Sequence, residues 1–452
     1  MCKGPQITKA FSKAVCDAAE REYTREEIRS KHPEFLIVEN KIYNADKFRW
    51  EHPGGAVFVS MFGGRDATLA FQSYHMREFP HSEMEKYLEG SLAASEQPVK
   101  MDKEHLELSK KVKSVLKQKT FAPFSQLLKA FILFTVAVTV EAYALFYQRT
   151  FINSAFLGLL FAWIGLNIQH DANHGAMFKN GKLNALCGLA QAWIGGSQLM
   201  WLQEHVVLHH LHTGDENMDP DAQLAPAMRG HKNSPWYPWM ILQKFYLLPM
   251  ELAYALVPFF VAFAETLTWS HKFEQKYQIS PLAKYPWRLA SLSAHLFFYL
   301  RFFILPFVFA ENILYEAAKV ATTAAVGGGY LAFFFFLSHN FDGVHFLQGS
   351  YPNGSVSYPE NSSFLIQQIN SSSNVGGKIL CFFNGGLNYQ IEHHLFPRIA
   401  HSHYPTIAPI VRDFALNKGP ELIRYTHFPT ILDNLSSVFS YLDKMSVKPH
   451  SD

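Results

Sequence analysis

The chain has 452 residues, a formal net charge of +2 and no broad basic stretch, which excludes an electrostatic footprint for nucleic acid. Forty phenylalanines and 48% hydrophobic residues, against 17% charged ones, mark a large apolar mass, and the length exceeds one ordinary soluble domain. The four cysteines (Cys2, Cys16, Cys187 and Cys381) lack CxxC spacing. No disulfide is expected, and a reducing compartment is expected for the polar parts.

The N-terminal segment, 1–20, has no apolar core of signal-peptide type, so the first domain is expected to stay cytosolic. Residues 21–98 alternate short apolar runs with polar ones and read as a small soluble domain of helices and strands. Within it lies FRWEHPGGAVFVSMFGGRDATLAFQSYH. Pro53 and two glycines form a tight turn that exposes His52. His75 follows at the end of a predicted helix that begins near Asp66. Two neutral imidazoles of this kind can ligate a haem on both faces, leaving no open position and therefore an electron carrier. On these residues alone, a loop histidine and an unrelated helix histidine remain equally open.

Residues 99–120 carry seven lysines among helix formers and read as a surface helix or linker. That charge marks the cytosolic side of the apolar runs beyond it. AFILFTVAVTVEAYALFY (130–147) and FINSAFLGLLFAWIGLNI (151–168) each suit a bilayer crossing, and QRT joins them into a hairpin. A second pair is HLFFYLRFFILPFVFA (295–310) and VATTAAVGGGYLAFFFFLS (320–338). Two ambiguous stretches lie between, 183–202 with Gly195 and Gly196, and 239–264 broken by Pro249, Glu251 and Pro258. Both read as interfacial, which leaves about four transmembrane helices. Glu141 and Arg301 inside the spans are expected to snorkel or to pair between helices. A Ser/Asn/Gly/Pro-rich loop occupies 349–363, and a tail 436–452 closes the chain.

Histidines cluster at helical spacing. His170 and His174 stand in QHDANHGA, and His205, His209, His210 and His212 in QEHVVLHHLHTGDENMDPD. Gln390, His393 and His394 stand in NYQIEHHLFP, and His339 ends the last span. Residues four apart share a helix face, so each cluster presents an imidazole stripe. Two hairpins place every cluster on one side of the membrane, which is why neither ambiguous stretch is expected to cross. About eight imidazoles without thiolates suit a borderline transition metal. The supply exceeds one four-ligand site, so two metal ions are expected. Iron is favoured, because a haem could deliver electrons to it.

Residues 23–98 resemble a cytochrome b5 domain, through IYNADKFRWEHPGG and AFQSYH. Residues 121–435 resemble the membrane-bound fatty-acid desaturases, and the fusion with Gln opening the third histidine box is the front-end desaturase pattern. The resemblance implies a multi-domain protein: a small α+β haem domain followed by an α-helical integral membrane domain. It implies haem b on His52 and His75, and two iron ions at a catalytic site. The ligands it implies are His170 and His174 (first box), His205, His209 and His210 (second box), Gln390, His393 and His394 (third box), and His339. Asp219 and Asp221 match a family feature of supporting or capping character, and Gln368, Ser372 and Asn374 match a further stretch. The second box reads HxxxHH where many relatives have HxxHH, leaving His209 and His212 as rivals for one ligand position. Glu392 falls on another face and is expected to support the site.

The activity implied is O2-dependent insertion of a cis double bond between an existing one and the carboxyl end of a long-chain polyunsaturated acyl chain. The implied partners are that acyl substrate, CoA- or phospholipid-linked, membrane lipid, and an NADH-cytochrome b5 reductase. The implied location is the endoplasmic reticulum, with haem domain and boxes facing the cytosol. HDANHGA and the tryptophan-rich approach to the second box favour delta-5 attack; delta-4, delta-6 and delta-8 stay open. A sphingolipid long-chain-base desaturase, a hydroxylase and a membrane-anchored haem carrier are the competing readings.

Overall fold

The computed structural model describes residues 20–269, 279–308, 310–346 and 362–449. Cys2, Cys16, nearly all of the N-terminal segment and most of the 349–363 loop lie outside the described residues.

The first domain is built on a sheet of β1 (Glu22–Tyr23), β2 (Phe35–Val38), β3 (Lys41–Asn44) and β4 (Leu88–Leu92), ordered β1-β4-β3-β2. β2 and β3 form an antiparallel hairpin that pairs Phe35 with Asn44 and Val38 with Lys41. All four residues of β2 are buried because both faces are covered. Phe35 and Ile37 pack with Ile28, Ile42 and Leu92. Leu36 and Val38 point the other way, into the helices α1 (Ala56–Met61) and α2 (Thr68–His75), as the period of two requires.

The lysine-rich stretch forms α3 (Lys103–Val115), with Asp102 as N-cap accepting from the amides of Glu104 and His105. It is more than a surface helix. Leu108 and Val112 are fully buried among Leu395, Phe396 and Tyr404, and His105 Nε2 lies 2.9 Å from the Leu395 carbonyl. The exposed lysines occupy only the opposite face, so α3 straps the first domain to the second.

Among the described residues, four helices are long and apolar enough to cross a membrane: α4 (Phe124–Phe146), α5 (Phe151–Asn173), and a later pair, Trp287–Val308 and Ile313–His339. The chain is an integral membrane protein with about four spans. At the C-terminal end every span closes within a few residues of its apolar run. The N-terminal ends of three lie earlier than the hydropathy suggests, because Lys129, Arg288, Glu316 and Lys319 continue the helix from inside. Between the pairs, 183–202 breaks into short helices, Gly181–Gly188, Ala190–Trp193 and Gln198–Trp201. Pro238–Leu252 and Val257–Thr268 form a pair bent by 54°. Glu141 and Arg301 answer the expectation of inter-helix pairing: they form a buried salt bridge between spans. The Arg301 guanidinium also sits 4.0 Å from the centroid of Trp193.

Candidate metal centre and haem cavity

Two stretches of wide helix carry the first two boxes. Gly165–Gln169 is a π-turn that leads directly into His170. Leu202–His209 is a longer π-stretch that runs from Trp201 to His210. A π-turn takes one residue more than an α-turn, and the second box, HxxxHH, has one residue more between histidines than HxxHH. The wider turn absorbs that residue and keeps His205 and His209 facing inward.

The third box is placed by the glycine pair in CFFNGGL. Gly385 and Gly386 both have positive φ, at +55° and +81°, and a Cβ on Gly385 would meet the Leu166 carbonyl oxygen at 2.1 Å. Only glycine lets this turn press against α5 just ahead of His170. The short helix Gln390–Leu395 then enters the centre with all six residues buried.

The histidines meet in two groups. His170, His174, His205 and His393 offer ring nitrogens that lie within 4.8 Å of one another, and His209, His339 and His394 form a second such set. His210 stands between them: its Nε2 is 3.0 Å from His393 Nε2 and 3.2 Å from His205 Nε2, and its ring stacks on His394 with centroids 4.5 Å apart. Gln390 joins the second group, its Nε2 2.9 Å from His339 Nε2 and 3.2 Å from His394 Nε2. Turning the amide over would bring Oε1, buried and without a hydrogen-bond partner, to that same place. His209 thus sits in the second group; His212 belongs to neither.

Outer partners fix the rings. Asp219 Oδ1 accepts from His209 Nδ1 at 2.9 Å. Gln368 Oε1 accepts from His394 Nδ1 at 2.8 Å, and the Ser371 carbonyl accepts from His339 Nδ1 at 2.9 Å. Tyr404 Oη lies 3.2 Å from His393 Nδ1. With Nδ1 engaged, Nε2 is left to point inward. His170 Nε2 and His174 Nε2 are buried and have no protein partner. Orphaned, convergent ring nitrogens ask for a cation, and the histidine cluster fits a di-iron site.

The electrostatics agree. Burial, reinforced by neighbouring imidazoles, holds His174, His205, His210, His393 and His394 far below the usual histidine range, so they are neutral and able to coordinate. Burial opposes a charge on His209 as well, but Asp219 and Asp221 overcome it and raise that group to about 9.

Asp219 both supports His209 and caps a turn, accepting from the amides of Gly214 and Asp221. Asp221 Oδ2 is 3.4 Å from His209 Nδ1. Glu392 faces away from the rings and accepts from Asn374 and Tyr425, each at 2.8 Å; burial raises it to about 7 against those bonds. Asn374 also accepts from the Ile391 amide, so it holds the third box on both sides. Ser372 Oγ is buried with no partner.

Several groups escaped the sequence reading. Asp171 accepts from Gln126 at 2.6 Å and from His401 Nδ1 at 2.9 Å, tying the first box to α4 and to the chain after the third. Trp201 places its ring 4.5 Å from His205 and 5.1 Å from His174. A tryptophan beside the box was visible in sequence; its contact was not.

In the first domain His52 and His75 face each other with ring centroids 5.9 Å apart. Their Nδ1 atoms are turned to the carbonyls of Gly55 and Phe71, at 3.2 and 3.1 Å. Burial holds His75 down at about 3 and lowers His52 too, so both imidazoles are neutral. A cavity of about 550 Å³ opens between them, walled by Leu36, Val38, Phe58, Phe71 and Phe79, a size and lining that suit a flat apolar cofactor. Its far wall contains His174, Gly175, Val206 and Arg398 from the membrane domain. Tyr74, next to His75 in sequence, places its hydroxyl 2.7 Å from His174 Nδ1.

Residues 149–426 match the family model for fatty acid desaturase, and residues 19–93 match that for the cytochrome b5-like heme/steroid binding domain. The chain belongs to the fatty acid desaturase family. Acyl-lipid (7-3)-desaturases of Diacronema lutheri and Rebecca salina are 46% and 45% identical to it, each over 95% of this chain and 94% of the relative. The Delta(5) fatty acid desaturase A of Dictyostelium discoideum is 26% identical over 92% of this chain and 91% of its own. The protein is a front-end acyl-lipid desaturase with an N-terminal cytochrome b5 domain, an oxidoreductase whose haem the b5 domain implies. The expectation of delta-5 attack draws no support from these relatives, since those named (7-3)-desaturases are 46% and 45% identical to the chain and the one named Delta(5) only 26%. The physical reason is that HDANHGA and the approach to the second box line the metal centre of the desaturase. That centre serves one chemistry wherever along the acyl chain it acts, so these motifs carry no positional information.

Proposed function

We propose that this desaturase inserts a cis double bond at the delta-4 position of a long-chain polyunsaturated acyl group carried on a membrane lipid. The single observation that carries the electron supply is the shared wall: His174 lies both in the histidine core and on the lining of the haem cavity. The delta-4 position rests on the likeness to the (7-3) enzymes.

In this reading His170, His174, His205, His210 and His393 hold one iron, and His209, His339, His394 and Gln390 the other. Bound there, the irons would supply the O2 activation that an unactivated methylene pair requires; the substrate gives two electrons and two protons, the haem two electrons one at a time, and solvent two protons, as O2 becomes two waters. The protein's part is to orient the ligands, keep them dry and hold most of them neutral, whereas His209, raised by Asp219 and Asp221, would give up its proton on binding the metal. Trp201 also lines a small cavity of about 60 Å³ between the spans, with Phe161, Phe259 and Leu331. His52 and His75 hold the haem, which an NADH-dependent reductase recharges from the cytosolic face of the endoplasmic reticulum.

Expression in yeast fed a panel of polyunsaturated acids, with product mass spectrometry, tests the reading. A new double bond at delta-4 is expected. A delta-5, delta-6 or delta-8 product would overturn the position, and a hydroxylated acyl chain or a desaturated long-chain base would overturn the reaction or substrate class.

A further inference from the structure

The haem cavity is not closed by the b5 domain alone. Gly181, at the start of a short helix after α5, donates its amide to the Pro53 carbonyl at 3.3 Å. A Cβ at Gly181 would fall 2.4 Å from the Gly54 carbonyl carbon, so the loop that carries His52 rests directly on membrane-domain backbone.

On the same wall stands Arg398, four residues past the third box in LFPRI. Among the described residues it makes no ion pair. Its guanidinium lies 5.6 Å from the Phe121 ring, and its Nε would be 3.9 Å from a Cβ on Gly175. Two further cations line the cavity, Arg77 and Lys113, against one acid, the exposed Glu83. Lys113 is committed to the carbonyls of His75 and Met76, at 2.9 and 3.1 Å. A half-buried guanidinium with no carboxylate of its own, facing an apolar cofactor cavity, is left wanting an anion. Haem b has two carboxylates.

We propose that Arg398 binds a haem carboxylate, so that the desaturase domain completes the haem site and sets the cofactor against the Tyr74–His174 contact. The proposal rests on haem occupying this cavity. Arg398 is a cofactor-binding residue here and not a ligand of the histidine core. A planar guanidinium suits a carboxylate better than an ammonium does, so lysine is a partial substitute.

The test uses the purified full-length protein and reads haem loss to an excess of apomyoglobin through the Soret band. Arg398→Ala should release native haem about tenfold faster than wild type, the scale of one charge-assisted hydrogen bond, with Arg398→Lys between them. Both proteins are then reconstituted with haem dimethyl ester, which has no carboxylate to bind. The difference between wild type and Arg398→Ala should vanish. Equal release of native haem from the two overturns the proposal, and so does a tenfold difference that persists with the ester, which marks a loss of folding instead. Absence of a Soret band from the wild type would instead sink the haem reading beneath it.

Discussion

His52 and His75 are oriented by carbonyls three and four residues away, those of Gly55 and Phe71. In the histidine core the orienting groups are 10 residues away for His209, 11 for His393, 26 for His394 and 32 for His339. The haem ligands therefore depend on the local course of the backbone, which no side-chain substitution removes. The core ligands depend on tertiary structure, and three of those four rings lean on a side chain that mutation can delete. A site held locally tolerates change around it; a site held at long range is coupled to the whole fold.

The sharpest way to separate the regions is to remove ligands from each. His393→Ala or His394→Ala should abolish product and lower bound iron while leaving the Soret band at wild-type height. His52→Ala or His75→Ala should do the opposite, losing the Soret band with iron retained, and turnover should stop unless an external cytochrome replaces the haem domain. Product formation at the wild-type level in either core variant would break the di-iron assignment.

A smaller effect tests the long-range support itself. Asp219→Asn keeps the shape beside His209 and removes the charge that raises it. Loss of an outer partner of a metal-bound histidine costs about 10–100-fold in metal affinity, so iron titration should show that range. No comparable substitution exists at Gly55 or Phe71, whose carbonyls stay whatever the side chain. Gln390→Ala should weaken iron retention by about tenfold, since a neutral amide is a weaker ligand than an imidazole. Full iron content and activity in that variant would remove Gln390 from the centre altogether.

The same contrast explains what could be read from the sequence. HPGG and AFQSYH announce two facing histidines because the carbonyls that orient them lie within the segment. The three boxes announce their ligands, because helical spacing needs only nearest neighbours. What the residues do not spell out is the π-stretch Leu202–His209, which fits the extra residue of the second box, or that His209 and not His212 joins the converging ring nitrogens. Nor could they show that Asp171 reaches His401, or that α3 buries Leu108 and Val112 against the chain after the third box. The boxes line the histidine core, and no residue in them marks a position along an acyl chain.

Tyr74 is where the two regions touch, and its variant should give the smallest effect of the set. Its hydroxyl is 2.7 Å from His174 Nδ1, and the tyrosine adjoins the haem histidine His75 along α2. Tyr74→Phe keeps the ring in the cavity wall and deletes only the hydroxyl, at the cost of about one hydrogen bond. If that bond sets the approach of the haem edge to the core, reoxidation of the reduced haem under O2 and substrate should slow by about fivefold in stopped-flow spectroscopy. The oxidised Soret band should stay at its wild-type height, and iron affinity should fall by less than in Asp219→Asn, because a neutral phenol is a weaker outer partner than a carboxylate. An unchanged reoxidation rate would show that the two regions are coupled through the cavity wall as a whole. A loss of iron as large as that of Asp219→Asn would show that Tyr74 is a main support of His174, and that the long-range scaffold of the core extends into the b5 domain.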